Sequence, residues 1–363
     1  MADNHIIGFY PYGNGTDQYM RIIDEESVKA GYPVIDLMTA MKRPSVYMGL
    51  KIVNLNWFES INASSDAKIF ANYMKRLAML SFFKATGKKI IFTYHNVHPH
   101  NMKDTKWSDK LTRRLCKWAD KIVVLCDHSE VFLKQYCSEE ELKKKMVTIP
   151  PATYKGCYCE KEIDFRAQWG IDKNACVMTY VGSVQPYKNI ELIIEAAKRF
   201  PDIYFVIAGG TRDHQYRDEL MAKAESVPNV IKMFQRIDDD ELPALVKNSS
   251  YIITPYDRSS LNSGVAILDF SYGRTVICPI IGTLLQMGNL DHVFAYDYKD
   301  QDEHLAQLCD AIKRAYDVYT TDNNRYIATN AAVLDYIETK NSRDIVRQRY
   351  AMIYQQLCAE GGL

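Results

Sequence analysis

Ser259 to Pro279 reads SSLNSGVAILDFSYGRTVICP. Small polar residues (Ser259, Ser260, Asn262, Ser263) and Gly264 lead into an apolar helical run over 265–272. Gly273 stands where such a helix should stop, and Thr275 to Cys278 has the composition of a buried strand. A helix that opens on Asn-Ser-Gly turns free N–H groups and the positive end of its dipole toward solvent, an arrangement suited to an anion such as a diphosphate.

Working outward, Tyr180 to Gly210 (YVGSVQPYKNIELIIEAAKRFPDIYFVIAGG) holds a compatible partner. A strand over 178–181 ends at Gly182, and a polar loop carries Lys188 and Asn189. Ile190, Ile193, Ile194 and Ala197 recur at helical spacing, and a strand over 203–208 closes on Gly209-Gly210. Strand, loop, helix and strand make one βαβ unit of a parallel sheet, with Lys188 within reach of phosphate oxygens at its C-terminal edge. Lys188 also reads as an ordinary solvated loop lysine, and Asn262, Ser263 and Gly264 as a plain helix cap.

The first half repeats this alternation. Strands are expected over 6–10, 33–37, 52–57, 88–94, 121–126 and 146–149, with helices from about Asp17, over 66–86, 110–119 and 129–136. Pro150-Pro151 closes the unit and a linker spans 152–162. The expected domains are 1–155, 156–340 and a C-terminal helical segment, 341–363, free to pack back on the first domain. The fold class is α/β, two Rossmann-like domains.

Composition narrows the function. The 363 residues carry 45 Lys+Arg against 45 Asp+Glu, so bulk attraction to nucleic acid is not expected. Nine scattered cysteines without paired Cys-x-x-Cys spacing fit reduced thiols in a cytoplasmic protein better than disulfides or zinc. No apolar run reaches the roughly 18–20 residues that span a bilayer. Asp238-Asp239-Asp240-Glu241 resembles a metal-binding acidic run, yet it precedes Leu242, Leu245 and Val246 at helical spacing and reads as a helix start. Gly13-x-Gly15 lacks the third glycine of a dinucleotide fingerprint, Gln18 standing there, which counts against an NAD-linked dehydrogenase.

Taken together, the Gly-x-x-x-x-x-Lys-Asn loop at 182–189, the Ser-Gly helix start at 263–264 and the following Gly-Arg-Thr-Val-Ile resemble a GT-B glycosyltransferase. Asn-Leu-Asn-Trp-Phe-Glu at 54–59, Thr-Tyr-His-Asn-Val-His-Pro-His at 93–100 and Ala-Asp-Lys-Ile-Val-Val-Leu at 119–125 are similar to acceptor-domain landmarks of bacterial family 4 type enzymes that build surface polysaccharides from nucleotide-diphosphate sugars. The resemblance implies two domains facing each other across a cleft. It also implies a hexose donor held by Gly13, Asn14, Gly15, Gly182, Lys188, Arg236, Ile237, Asn262, Ser263, Gly264 and Asp269, with no metal cofactor. His95 would face the donor sugar, with His98 and Asp17 as further catalytic candidates. Trp57, Glu59 and His100 would meet a saccharide acceptor, lipid-linked and reached at an anionic membrane surface. Trp57 serves equally as core, and the 95–100 histidines as a polar loop or a metal cluster without an acid to complete it.

One departure matters. Retaining relatives carry a pair of glutamates around this helix, and the aligned positions here are Ser260 and Leu268, with Asp269 one place along. Stereochemistry therefore stays open. A non-catalytic nucleotide-sugar or glycan binder and a nucleotide-sugar epimerase remain alternatives.

Overall fold

The computed structural model describes residues 5–13, 17–61, 63, 65–97, 105–257, 260–288 and 291–360. The chain divides into two compact units, one of 1–152 with 341–363 and one of 153–340.

The first unit runs β1 (Ile6–Tyr10), α1 (Gln18–Lys29), β2 (Val34–Asp36), α2 (Leu37–Met41), α3 (Pro44–Gly49), β3 (Leu50–Asn56), α4 (Asp66–Ala85), β4 (Lys89–Tyr94), α5 (Lys106–Trp118), β5 (Lys121–Val124), α6 (Ser129–Leu133), α7 (Glu139–Lys145) and β6 (Met146–Thr148). Its sheet is parallel throughout, in the order β2-β1-β3-β4-β5-β6. Strands buried on both faces need near-continuous apolar sequence, and Ile90, Ile91 and Phe92 of β4 are fully buried. The helix expected over 110–119 starts earlier, at Lys106, and the one expected over 129–136 stops at Leu133. The α7 segment EEELKKK has no apolar period. It is fixed by a capping box between Ser138 and Glu141, with acids in its first turn and lysines in its last.

The second unit runs α8 (Phe165–Gln168), β7 (Cys176–Val181), a 3₁₀ turn (Pro186–Lys188), α9 (Ile190–Ala197), β8 (Ile203–Ala208), α10 (His214–Lys223), β9 (Val230–Met233), α11 (Leu242–Asn248), β10 (Tyr251–Ile253), α12 (Gly264–Ser271), β11 (Val276–Pro279), α13 (Gly282–Gly288), β12 (Phe294–Tyr296), α14 (Gln301–Thr321) and α15 (Asn323–Lys340). Its sheet is also parallel, ordered β12-β11-β10-β7-β8-β9. The central strand β10, flanked by β7 and β11, has only three residues and falls below what periodicity detects.

The last helix, α16 (Arg343–Ala359), belongs to the first unit. It lies along α1, where Tyr354 shares a 3.0 Å hydrogen bond with Ser27. Arg347 donates at 3.0 Å to Glu26, a carboxylate only 1% exposed and also 2.6 Å from Lys29.

Candidate functional site

Topology explains why two loops distant in sequence meet in the second unit. β7 pairs with β10 (Met178 opposite Tyr251, Thr179 opposite Ile252), so the loops leaving their C-terminal ends are neighbours. The order of strand addition reverses here: β8 and β9 follow β7 on one side, β11 and β12 follow β10 on the other. Open α/β sheets bind ligands at such a switch point.

Gly182 ends β7 with φ +133°, and a Cβ there would stand 3.2 Å from Val265 Cγ2 of α12. The β7 loop thus rests directly on the helix that opens the other loop. The 3₁₀ turn ends at Asn189, left-handed at φ 51°, whose amide donates to the Pro255 carbonyl at 3.0 Å. Asp257 N–H donates to the Tyr187 carbonyl at 3.3 Å.

Between these stitches Lys188 lays its ammonium over the Tyr256 ring, 3.5 Å from the centroid, with the Tyr187 ring at 5.1 Å. The residue is half-buried and forms no ion pair among the described residues. Burial pulls its pKa down to about 7, with Asp257 opposing the change. The Ser263 side chain and Asp269 both lie near the Tyr256 phenol, so one buried tyrosine joins Lys188 to α12.

The first turn of α12 is capped by Ser263, whose hydroxyl accepts from Ala266 N–H at 3.2 Å. Ser263's own N–H is taken by Thr283 Oγ1 at 3.0 Å. The N–H groups of Gly264 and Val265 form no hydrogen bond among the described residues, which leaves them for an anion. Asn262 immediately precedes this cap, half-buried. Asp269 is fully buried, neither carboxyl oxygen has a hydrogen-bond partner among the described residues, and burial holds its pKa well above the ordinary carboxylate range.

Arg236 and Ile237 divide. Ile237 is buried, and the loop runs beside β8, where a Cβ on Gly210 would lie 3.2 Å from Arg236 N. The Arg236 side chain is 71% exposed and paired at 3.4 Å with Asp239, so it points away from the crowded end of the loop. The acidic run ends at Glu241, immediately before α11, and Asp240 and Glu241 receive the Lys161 ammonium at 3.0 and 3.6 Å.

The first unit gathers a different set at the C-terminal ends of β3 and β4. Trp57 takes φ 48°, an uncommon conformation for a bulky residue, and stacks on His95 with centroids 3.9 Å apart and planes at 17°. Tyr19 meets the His95 ring edge-on at 5.0 Å. His95 Nε2 lies 2.9 Å from Asn56 Oδ1, and Asn56 donates onward to Asn54 at 3.3 Å. An amide oxygen only accepts, so Nε2 carries the proton. Burial drops the His95 pKa to about 3. A ring this weakly basic is a poor proton acceptor near neutrality, which makes His95 a neutral hydrogen-bonding imidazole.

Asp17 caps α1, its Oδ1 accepting from Tyr19 and Met20 N–H at 3.0 and 3.4 Å, and Gly13 lies half-buried just ahead of it. Glu59 is turned into the core at 3% exposure, near enough to Tyr94 and Cys116 to raise their pKa values. That position does not suit the direct contact with an acceptor expected of it. Asn14, Gly15, His98 and His100 lie outside the described residues. Sequence reasoning missed Tyr256 and Asn56. The one available signal was two asparagines, 54 and 56, inside an otherwise apolar strand.

Known proteins can now be compared. Residues 161–266 match the family model for glycosyl transferases group 1. No curated protein sequence gives a match. Among solved structures, sucrose-phosphate synthase from Thermosynechococcus elongatus superposes with TM-score 0.75 at 15% identity, covering 98% of this chain and 100% of that one. HepE from Anabaena, in complex with UDP-glucose, gives 0.71 at 12% identity, with 97% and 99% covered. Trehalose 6-phosphate synthase from Burkholderia multivorans gives 0.63 at 13%, with 96% and 84% covered. The chain thus has the GT-B fold of glycosyltransferases, and much of its second unit matches the group 1 glycosyl transferase model.

Proposed function

We propose that this protein is a glycosyltransferase that moves a hexose from a nucleotide-diphosphate sugar to a saccharide acceptor in polysaccharide assembly. The observation that carries this reading is the meeting of Lys188 and the first turn of α12 around Tyr256. Cleaving the anomeric C–O bond places negative charge on the departing diphosphate. Preorganised N–H groups, a helix dipole and an ammonium stabilise that charge without a metal. Lys188 with a pKa near 7 gains its full charge when the anion arrives. His95, neutral, stacked by Trp57 and with its Nε2–H given to Asn56, meets a sugar hydroxyl as a hydrogen-bond acceptor at most and not as a proton-transfer site. Asp269, fully buried, is not placed for direct contact with the donor; its carboxyl lies near Tyr256, and burial favours its neutral form. Thermal-shift screening against UDP-, GDP-, ADP- and dTDP-sugars tests the reading, since a bound donor raises the melting temperature by mass action. No shift with any of them would falsify it.

The acceptor side of the proposal rests on α4 and α5. Phe70, Met74 and Phe82 are 45%, 46% and 45% exposed, and Phe70 and Tyr73 each pack 4.9 Å from Trp107. The same two helices carry Lys68, Lys75, Lys84, Lys106, Lys110, Arg113, Arg114 and Lys117 against Asp66 and Asp109. Such a surface repels a second copy of itself and fits an anionic bilayer carrying a lipid-linked acceptor. Among the described residues no helix is long and apolar enough to cross a membrane, so the contact would be peripheral. Salt-sensitive sedimentation with phosphatidylglycerol vesicles is expected, and equal binding to phosphatidylcholine alone would discard this part. A non-catalytic nucleotide-sugar binder is the second reading, favoured by Ser260 and Leu268 at the glutamate positions. Release of free nucleotide from the donor on adding acceptor decides between them.

A further inference from the structure

Resting on the donor reading above, we propose that Tyr256 is the positioning residue of this half-site, a ring that holds the Lys188 ammonium beside α12 until a diphosphate takes it over. Hydrogen bonds and a ring stack brace the segment that carries the ring. Tyr256 is 1% exposed, and its flanking residues Pro255 and Asp257 are tied by hydrogen bonds to the turn that bears Lys188. Its own carbonyl accepts from Tyr298 Oη at 3.3 Å. Tyr298 is in turn stacked on the buried His304, centroids 3.7 Å apart and planes at 7°. His304 Nε2 lies 3.0 Å from Tyr296 Oη, so the support reaches back through β12 to α14. A tyrosine braced from so many elements does not follow the lysine; the lysine comes to it.

Consider what Lys188 would do without the ring. A lysine stem has four rotatable bonds, and an ammonium with no carboxylate partner gains most by swinging out into water. The electron-rich face of Tyr256, 3.5 Å away, offers an alternative that keeps the charge in the site. That contact is strong enough to select one rotamer. It is much weaker than a charge-assisted bond to phosphate, so a diphosphate displaces it readily. The ring therefore lowers the ordering cost of donor capture without competing for the cation. The phenol is not needed for this, only the aromatic face.

A double-mutant cycle with UDP-glucose as the probe, read by isothermal titration, tests the proposal. Tyr256→Phe keeps the face and should bind within about twofold of the parent. Tyr256→Leu removes it and should weaken binding roughly tenfold. In a Lys188→Met background the Leu substitution should cost little more, because the partner is already gone. A Tyr256→Leu loss of equal size in both backgrounds would show a merely structural ring and overturn the proposal, as would a Phe variant as poor as Leu. Should Tyr256→Leu fail to fold, Tyr298→Phe provides the milder perturbation. It releases the Tyr256 carbonyl, and its loss must likewise vanish in the Lys188→Met background. A parent chain that binds none of the four nucleotide sugars would instead refute the donor reading itself, a distinguishable result.

Discussion

Glu59 offers a test in which the sign of the effect is unusual. Its carboxyl is 3% exposed, and Oε2 has no hydrogen-bond partner among the described residues. The nearby Arg76 spends its guanidinium on the carbonyls of Trp57, at 3.3 Å, and of Phe58. Burial therefore dominates and lifts the Glu59 pKa from 4.5 to about 7, with Arg76 offsetting only part of the rise. A folded-state value above the unfolded one means that the stabilising form is the protonated one. Its contribution is complete below about pH 4.5 and is lost as pH rises through 7. A rise of this size corresponds to about 3 kcal/mol between those limits. Glu59→Gln stays neutral throughout. It should match the parent, apart from a constant offset, in acid and gain about 3 kcal/mol over it by pH 8. Urea unfolding followed by tryptophan fluorescence provides the assay. In a Trp169→Phe background the remaining tryptophans, 57, 107 and 118, all report on the first unit. A Gln variant whose advantage does not grow with pH, or shrinks, refutes the reasoning.

Asp269 carries the same sign in the second unit. Asp269→Asn should raise the melting temperature at pH 8 and change it little near pH 4. Glu26, paired with Lys29 on its own helix, anchors α16 through Arg343 and Arg347. Glu26→Gln should cost about 2 kcal/mol, discounted from a fully buried pair because the three cations are partly solvated, and should speed hydrogen exchange in α16 ahead of the first sheet.

How far the sequence carried is best seen in particular elements. β8 was legible because Ile203 to Ala208 is apolar from end to end between Pro201-Asp202 and Gly209-Gly210. α12 was legible from its cap and its glycine stop, to within one residue at each end. α7 was not, because charge placement rather than apolar period holds it. β10 was missed for its brevity, and with it the reason that Lys188 and Gly264 are neighbours, since their proximity is a property of the β7–β10 pairing. Residue types at the site were readable; side-chain directions were not. Arg236 and Glu59 sit in the loops the motifs indicated, yet one turns to solvent and the other to the core. His95 was identified by its motif. Its protonation state depends on the Trp57 stack and the Asn56 amide, neither of which spacing reveals.

The central claim is that one diphosphate is held jointly by Lys188 and the open N–H groups of α12. Gly264→Pro isolates the second partner, because proline is tolerated at a first helical position and removes only a donor the helix does not use. Ser263, extended at φ −125° and ψ 100°, accepts a following proline. Isothermal titration of UDP-glucose into the parent, Lys188→Met and Gly264→Pro, each checked for a parent-like melting temperature, compares the two directly. The account predicts at least a roughly tenfold loss of affinity in each variant. Parent-like affinity in either one would contradict it.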